Sequence, residues 1–333
     1  MAKVSILITV YNEADYLQEC LDSLKNQTFA NFEAICVNDA STDNSLEILN
    51  EYARRDERFI VKSNPKNLGL TKSRSIAIKF ARGEYISILD ADDFFSVNAI
   101  GEAVGAIEKT GADMALWNLQ MYYANDNVQP YTNEKFSDVI EGGQAFRLCI
   151  EGRLHSVCMA RRCMYEAFPF DDSCRLYSDD NTARMHLLLA RKICICEGIY
   201  YYRRHNESET HKIGFHRFDY LIANQRLACE LKKRNVGIEN LRIFEIHRWK
   251  NIVSHYYLFV NNRMLFGKTE TKKILSVLKN CMKSMDFSLL PMGMKFRMPY
   301  WPTHNLNVFK AYQSIYCFLR SLKKTIWQAA KVE

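Results

Sequence analysis

With 333 residues, 48% of them hydrophobic, the chain reads as a globular protein able to bury a substantial core, in two domains or in one domain with a long extension. Its formal charge of +7, from 45 basic and 38 acidic residues, suits an anionic substrate or a membrane surface and gives no support for nucleic acid as a partner. The 11 cysteines are odd in number, scattered and mostly embedded in apolar runs, which excludes a disulfide framework and points to a reducing, cytoplasmic compartment.

Residues 4–10 form a first predicted strand rather than a secretory leader, because the run breaks into polar Tyr11-Asn12-Glu13 and lacks a small-residue cleavage site. Strand-like and helix-period segments then alternate: helix 14–26, strand 32–37, helix 43–55, strand 59–62, helix 71–81, strand 85–89, helix 97–109 and strand 114–118. This order calls for a parallel sheet covered by helices, with ligands at the carboxyl ends of its strands. Residues 122–141 turn polar and read as a loop or hairpin, before a helix at 144–150. A helix at 181–191 and a strand at 192–202 follow, and the cationic stretch 203–211 has the composition of a loop. Cys194 and Cys196 lie in that strand with no second Cys/His pair at zinc spacing, so they are read as core thiols. Beyond residue 215 the chain is helical, basic and aromatic, with helices at 217–234, 241–266 and 269–285, a break at 291–302 and a last helix at 308–330. That helix carries apolar Val308, Tyr312, Ile315 and Leu319 beside basic Lys310, Arg320, Lys323 and Lys324. Such a pattern fits either a solvated basic face or an amphipathic helix lying on an anionic membrane. No uncharged apolar stretch approaches the roughly 20 residues that span a bilayer, so membrane contact here would be peripheral.

Three strand ends collect the unusual residues: Tyr11-Asn12-Glu13, Asn38 to Asp43, and Asp90-Ala91-Asp92-Asp93. Three carboxylates within four residues repel one another unless a cation or donors meet them, and a divalent metal with oxygen ligands would do so. The alternative is an acidic turn capping the next helix, for which Asp93 is well placed. Asp179-Asp180 likewise reads either as a functional pair or as the start of the helix that follows.

The combination of Val10-Tyr-Asn-Glu13, Asn38-Asp-Ala-Ser-Thr-Asp-Asn-Ser45 and Asn67-Leu-Gly-Leu-x-x-x-Arg74, in this order ahead of the acidic strand end, resembles glycosyltransferase family 2. The resemblance is dense over about residues 3–120 and thinner over 175–211. It implies a GT-A fold, a Rossmann-like α/β domain with a mostly parallel central sheet and helices on both faces, here over residues 1–215. About 1–120 would bind the nucleotide-sugar and 121–215 would supply the acceptor side and the base, leaving 216–333 as a helical basic extension for acceptor or membrane surface.

The implied activity is transfer of a sugar from a nucleotide-sugar donor, a UDP-sugar, to a hydroxyl of a glycan or lipid-linked acceptor, with inversion, in bacterial surface polysaccharide or lipooligosaccharide assembly. Tyr11 would give the base a flat contact, Asp39 would accept the imide hydrogen of uracil, and Glu13 would bind ribose. Arg74 would reach the diphosphate. Asp92 maps to the direct metal ligand for Mn²⁺ or Mg²⁺, Asp90 to ribose or a water-mediated metal contact, and Asp93 to a supporting role. Asp180 maps to the general base, with Asp179 where the family has glutamate, so either carboxylate remains a candidate. Arg203, Ser208 and Thr210 resemble a segment that closes over the diphosphate, and His205 or His211 could complete the metal shell. Two other readings stay open: a catalytically silent nucleotide-sugar or glycan binder, and a sugar-1-phosphate nucleotidylyltransferase. The second would need a Gly-rich basic loop where Tyr11-Asn12-Glu13 stands. A dehydrogenase is excluded because no Gly-x-Gly-x-x-Gly follows a strand.

Overall fold

The computed structural model describes residues 2–123, 127–131, 139–172, 174, 177–204 and 213–329. They divide into two units, Met1–Lys212 and Ile213–Glu333.

In the first unit the apolar runs become strands β1 (Val4–Val10), β2 (Phe32–Asn38), β3 (Phe59–Ser63) and β4 (Tyr85–Ile88), paired in parallel in the order β3-β2-β1-β4. Helices α1 (Ala14–Lys25), α2 (Ser45–Arg55) and α3 (Leu70–Ala77) connect them. The chain continues through β5 (Phe94–Phe95), α4 (Ala99–Thr110), β6 (Met114–Tyr123), β7 (Asn127–Pro130), β8 (Val139–Ile140), α5 (Gly142–Ile150), β9 (Cys158–Arg161), α6 (Arg162–Ala167), α7 (Ser178–Leu189) and β10 (Ile193–Arg203).

Strands β6 and β10 are also parallel neighbours, but β9 lies antiparallel between β4 and β6 and joins the two parallel parts into one mixed sheet. The sequence does not predict β9. Its four residues, Cys-Met-Ala-Arg, are neither β-branched nor alternating, and only the edges offered by β4 and β6 make them a strand.

β1 is apolar on both faces because both are covered. Ile6, Ile8 and Val10 meet Leu17, Leu21 and Leu24 of α1 and part of α4, whereas Leu7, Ile35 and Val37 belong to the core under α3, α5 and α7. Helix α1 forms because Leu17, Leu21 and Leu24 recur at helical spacing on one face, and α4 stops at Gly111, whose φ of 66° supplies the left-handed cap.

Gly142, the first residue of α5, sits against the closing carbonyls of α7. A Cβ there would lie 2.2 Å from the Ala190 oxygen and 2.4 Å from that of Leu187. The close approach fixes α7 against α5.

The second unit is helical: α8 (Asp219–Lys233), α9 (Ile238–Asn261), α10 (Lys268–Lys283), α11 (Met292–Lys295) and α12 (Leu306–Ala329). Trp249, Tyr256 and Phe309 centre its core, with Phe309 5.7 Å from Trp249 and 5.0 Å from Tyr256 between ring centroids. Arg248 and Glu245 form a fully buried ion pair at 2.7 Å, and Ser284 accepts a second bond from the guanidinium. None of the described helices is long and apolar enough to cross a membrane.

Two outcomes follow from this packing. Gly142→Ala displaces α7 and lowers stability by about 1–3 kcal/mol, the usual cost of overpacking. Denaturant titration checks it, and an unchanged midpoint contradicts the packing account. The second concerns His155, buried with Nε2 3.0 Å from the Trp117 carbonyl while Nδ1 accepts from the Val157 N–H at 3.2 Å. Burial lowers its pKa from 6.5 to about 4, only partly offset by the Trp117 carbonyl. The folded pKa lies below the unfolded one, so this contribution is complete above pH 6.5 and is lost as pH falls towards 4. His155→Gln therefore loses less stability than the parent chain between neutral and mildly acid pH. Parallel slopes in denaturant titrations at the two pH values would contradict this.

Candidate active site

The ends of β1 and β2 are tied together by side chains that meet backbone groups. Thr42 N–H donates to the Asn12 side chain at 2.8 Å, Asn12 N–H to the Ser41 hydroxyl at 3.1 Å, Glu13 N–H to the Ser45 hydroxyl at 3.0 Å and Ala14 N–H to Asp43 at 3.0 Å. Asn12 and Ala40 adopt positive φ, 56° and 59°, to make these turns. Burial works against the Asp43 charge, but bonds from Ser45 and Ala14 hold its carboxyl below the ordinary range. Asp43 thus meets the first N–H groups of both α1 and α2, those of Ala14 and Ser45, while the Ser41 and Ser45 hydroxyls hold the turn ahead of α1. Tyr11 stands on this rim, 46% exposed, and Glu13 is half-buried at the start of α1.

Asp39 is buried and accepts three bonds: from Asn64 Nδ2 (2.7 Å) and Leu68 N–H (2.8 Å) on Oδ1, and from Gly69 N–H (2.8 Å) on Oδ2. It anchors the loop that leads into α3. Gly69, at φ 87°, makes the turn that starts this helix.

Arg74 is the only charged residue α3 turns into the protein; the side chain is 4% exposed. Its Nη2 donates to Asp90 at 2.6 Å and its Nη1 to Asp179 at 3.1 Å. The guanidinium thereby bridges the end of β4 and the first turn of α7. Burial opposes the Arg74 charge, yet the two carboxylates raise its pKa. Burial also raises the Asp90 carboxyl; Arg74 pulls it back, and Asp92 and Asp179 push it further up.

The acidic turn after β4 is held from β10. The Tyr200 hydroxyl donates to Asp93 at 2.7 Å and accepts from the Asp90 N–H at 3.2 Å, while Arg203 N–H donates to the other Asp93 oxygen at 2.8 Å. Burial raises the Asp93 carboxyl well above the carboxylate range, with Asp92 and Asp90 adding to the effect. Arg203 donates from Nε to the Asp92 carbonyl at 2.8 Å, pairs with Glu19, and lies 4.8–5.2 Å from the ring centres of Tyr16, Phe94 and Tyr122. These contacts make Arg203 a brace of the acidic turn. The bonds of Tyr200 to the acidic turn and the Glu19 partner of Arg203 carry no signal in the sequence.

Asp179 and Asp180 lie in the first turn of α7, where the helix dipole favours carboxylates. They differ in partners. Asp179 is bonded to Arg74, whereas Asp180 lies 3.6 Å from Arg184 one turn on. Burial raises the Asp180 carboxyl; Arg184 opposes this, Asp179 reinforces it, and Arg74 opposes it. The i, i+4 spacing of Asp180 and Arg184 was the one signal in the sequence for that pair.

A cavity of about 160 Å³ opens between these groups, lined by Arg74, Asp90, Asp179, Asp180, Tyr165 and His186 among others. Of the candidate residues, the structure brings Arg74, Asp90, Asp179 and Asp180 to one cavity. Tyr11, Glu13, Asp39, Asp92 and Arg203 are not part of its lining. Ser208, Thr210, His205 and His211 lie outside the described residues. Among the described residues no three His, Cys, Asp or Glu side chains group as a metal cage. Asp92 offers a carboxylate in the turn it shares with Asp90 and Asp93. That chemistry fits Mg²⁺ or Mn²⁺, which take one or two carboxylates and complete their shell with substrate phosphates and water.

Comparison with known proteins identifies the family and the fold. The family model "Glycosyl transferase family 2" matches residues 5–174, just over half of the chain. Glycosyltransferase GlyG of Streptococcus pneumoniae is 27% identical over 222 residues, 62% of this chain and 72% of that protein. The poly(ribitol-phosphate) beta-glucosyltransferase of Bacillus spizizenii is 42% identical over 121 residues, 35% of this chain but only 19% of that protein. Among solved structures, S. aureus TarS 1-349 in complex with UDP-GlcNAc superposes with a TM-score of 0.70 at 20% identity, covering 86% of this chain and 82% of that one, a likeness of fold. The chain belongs to glycosyltransferase family 2, and its first unit carries the GT-A fold.

Proposed function

We propose that this glycosyltransferase transfers a sugar from a UDP-sugar to a hydroxyl of a glycan or lipid-linked acceptor by a single displacement that inverts the anomeric carbon, on the cytoplasmic side of bacterial surface-polysaccharide assembly. One observation carries the reading: the cavity has a donor-side carboxylate, Asp90, and a base-side pair, Asp179 and Asp180, on its walls, with Arg74 bonded across it. The relatives, a poly(ribitol-phosphate) beta-glucosyltransferase and a protein solved with UDP-GlcNAc, support this class of acceptor and donor.

In this reading Tyr11 stacks on uracil, Glu13 meets ribose, and Asp39 accepts the imide hydrogen. Among the described residues Asp39 Oδ2 accepts only the Gly69 N–H, and a carboxylate oxygen has room for a second donor. Asp180 is the base. It takes the proton of the acceptor hydroxyl as that oxygen bonds to the anomeric carbon and the bond to the diphosphate breaks, so the proton ends on Asp180 and the electron pair on UDP. Asp179, bonded to Arg74, orients the guanidinium rather than moving a proton. Asp92 would hold a divalent cation, Mn²⁺ or Mg²⁺, which when bound stabilises charge on the departing diphosphate. The Tyr200, Asp93 and Arg203 bonds keep the acidic turn in register for this.

A screen of UDP-sugars by UDP release in the presence of Mn²⁺ tests the reading without knowledge of the acceptor. Asp180→Asn should keep UDP affinity and lose turnover by about 10²–10⁴-fold, the usual contribution of a general base. A parent chain that binds UDP but turns over no donor would instead favour the silent binder. The pH profile tests the choice of base. A base works deprotonated, so turnover rises with pH through its pKa, and the raised Asp180 pKa puts the acid limb above the ordinary 3.8. Because Arg184 opposes that rise, Arg184→Met should move the limb to still higher pH. A limb unmoved by this change would take the base role from Asp180.

A further inference from the structure

The second unit carries a surface that the proposed reaction does not use. Between Asp286 and Glu333 the chain has seven Lys and Arg and no carboxylate side chain, although acidic and basic residues are nearly balanced over the whole. The same stretch exposes large apolar side chains. Met292, Phe296 and Trp301 lie on the surface, Phe296 81% and Trp301 54% exposed.

These residues sit on a fixed mount. The Tyr312 hydroxyl donates to the Trp301 carbonyl at 2.6 Å, Gln313 Nε2 to the Pro299 carbonyl at 2.7 Å, and Trp249 Nε1 to the Tyr300 carbonyl at 2.7 Å. The segment before α12 is thus bonded to α12 and to the core of the unit. Helix α12 carries one apolar stripe, Val308, Tyr312, Ile315 and Leu319 at i, i+4, i+7 and i+11. Tyr312, with Phe309 beside it, enters the core, whereas Val308, Ile315 and Leu319 of the same stripe are exposed, Ile315 at 56%. Arg297, in the segment before α12, and Arg320, next to Leu319 in sequence, are exposed as well. An apolar stripe left partly uncovered has its stable setting against another apolar medium.

Charge selects that medium. A second copy of the same face would set basic residues against basic residues. An anionic bilayer accepts both components: aromatic and aliphatic side chains enter the boundary of the acyl region, and Lys and Arg lie among the lipid phosphates. We propose that residues 292–301 and α12 together form a docking face for an anionic lipid bilayer.

Flotation of the full chain with vesicles tests this, using phosphatidylcholine alone and phosphatidylcholine with a quarter phosphatidylglycerol. The expected result is binding to the anionic vesicles only, weakened by salt. Arg297→Gln and Arg320→Gln should each lower partitioning about five-fold. Phe296→Ser with Leu319→Ser should lower it as well, with the helical circular dichroism unchanged. Failure to float with anionic vesicles overturns the proposal. So does equal binding to soluble polyphosphate that survives the Phe296 and Leu319 changes, which would mark a polyanion site, or a dimer abolished by those changes without vesicle binding. The readout is independent of sugar transfer, so its failure is distinguishable from failure of the proposed activity.

Discussion

The arrangement of the catalytic unit depends on one buried guanidinium. Removing a charge from water costs several kcal/mol, which is offset only where partners meet it with good geometry. Arg74 has two, Asp90 from the end of β4 and Asp179 from the start of α7. Neither carboxylate could sit beside its acidic neighbours without it, and the helix carrying Asp180 is held to the sheet edge by the same contact. The constraint extends backward along the chain. Asp39 holds the N–H groups of Leu68 and Gly69, Asn64 bonds both Asp39 and the Ser73 hydroxyl, and α3 therefore starts where it must for Arg74 to point inward. Base recognition and diphosphate contact, if Asp39 and Arg74 perform them, are mechanically one loop.

Arg248 and Glu245 form a buried pair in the second unit, three residues apart on one helix, with Ser284 completing the shell. That pair is local and serves packing. Arg74 instead joins partners 16 and 105 residues away in sequence, and its Nε finds no hydrogen-bond partner among the described residues. A long-range charge left partly unmet beside a cavity is the pattern of a site rather than of a core.

The sequence made the first four strands and their helices legible because each is a continuous apolar run or an amphipathic period with turn residues between. The acidic turn at residues 90 to 93 and the pair at 179 and 180 were legible as chemistry for the same reason, since carboxylates crowded at element ends need explanation. What stayed hidden depends on distance along the chain. β9 is a strand only because β4 and β6 flank it, and the bracing of Arg203 was hidden because its partner Glu19 lies 184 residues away. Asp39 looked like a free recognition carboxylate, whereas it also anchors a loop that begins 25 residues later. In the second unit, periodicity predicted helices but not which of their apolar faces would be covered; that required the packed core around Trp249 and Phe309.

The central claim is that Arg74 couples the donor-side and base-side carboxylates into one displacement site. A double-mutant cycle on Asp90→Asn and Asp179→Asn, read as kcat/KM for UDP release and repeated with Arg74→Gln, tests it most directly. The account predicts a coupling of about 1 kcal/mol or more between the two positions that vanishes once Arg74 is replaced. Additive losses with Arg74 intact, or coupling that persists without it, would contradict the account.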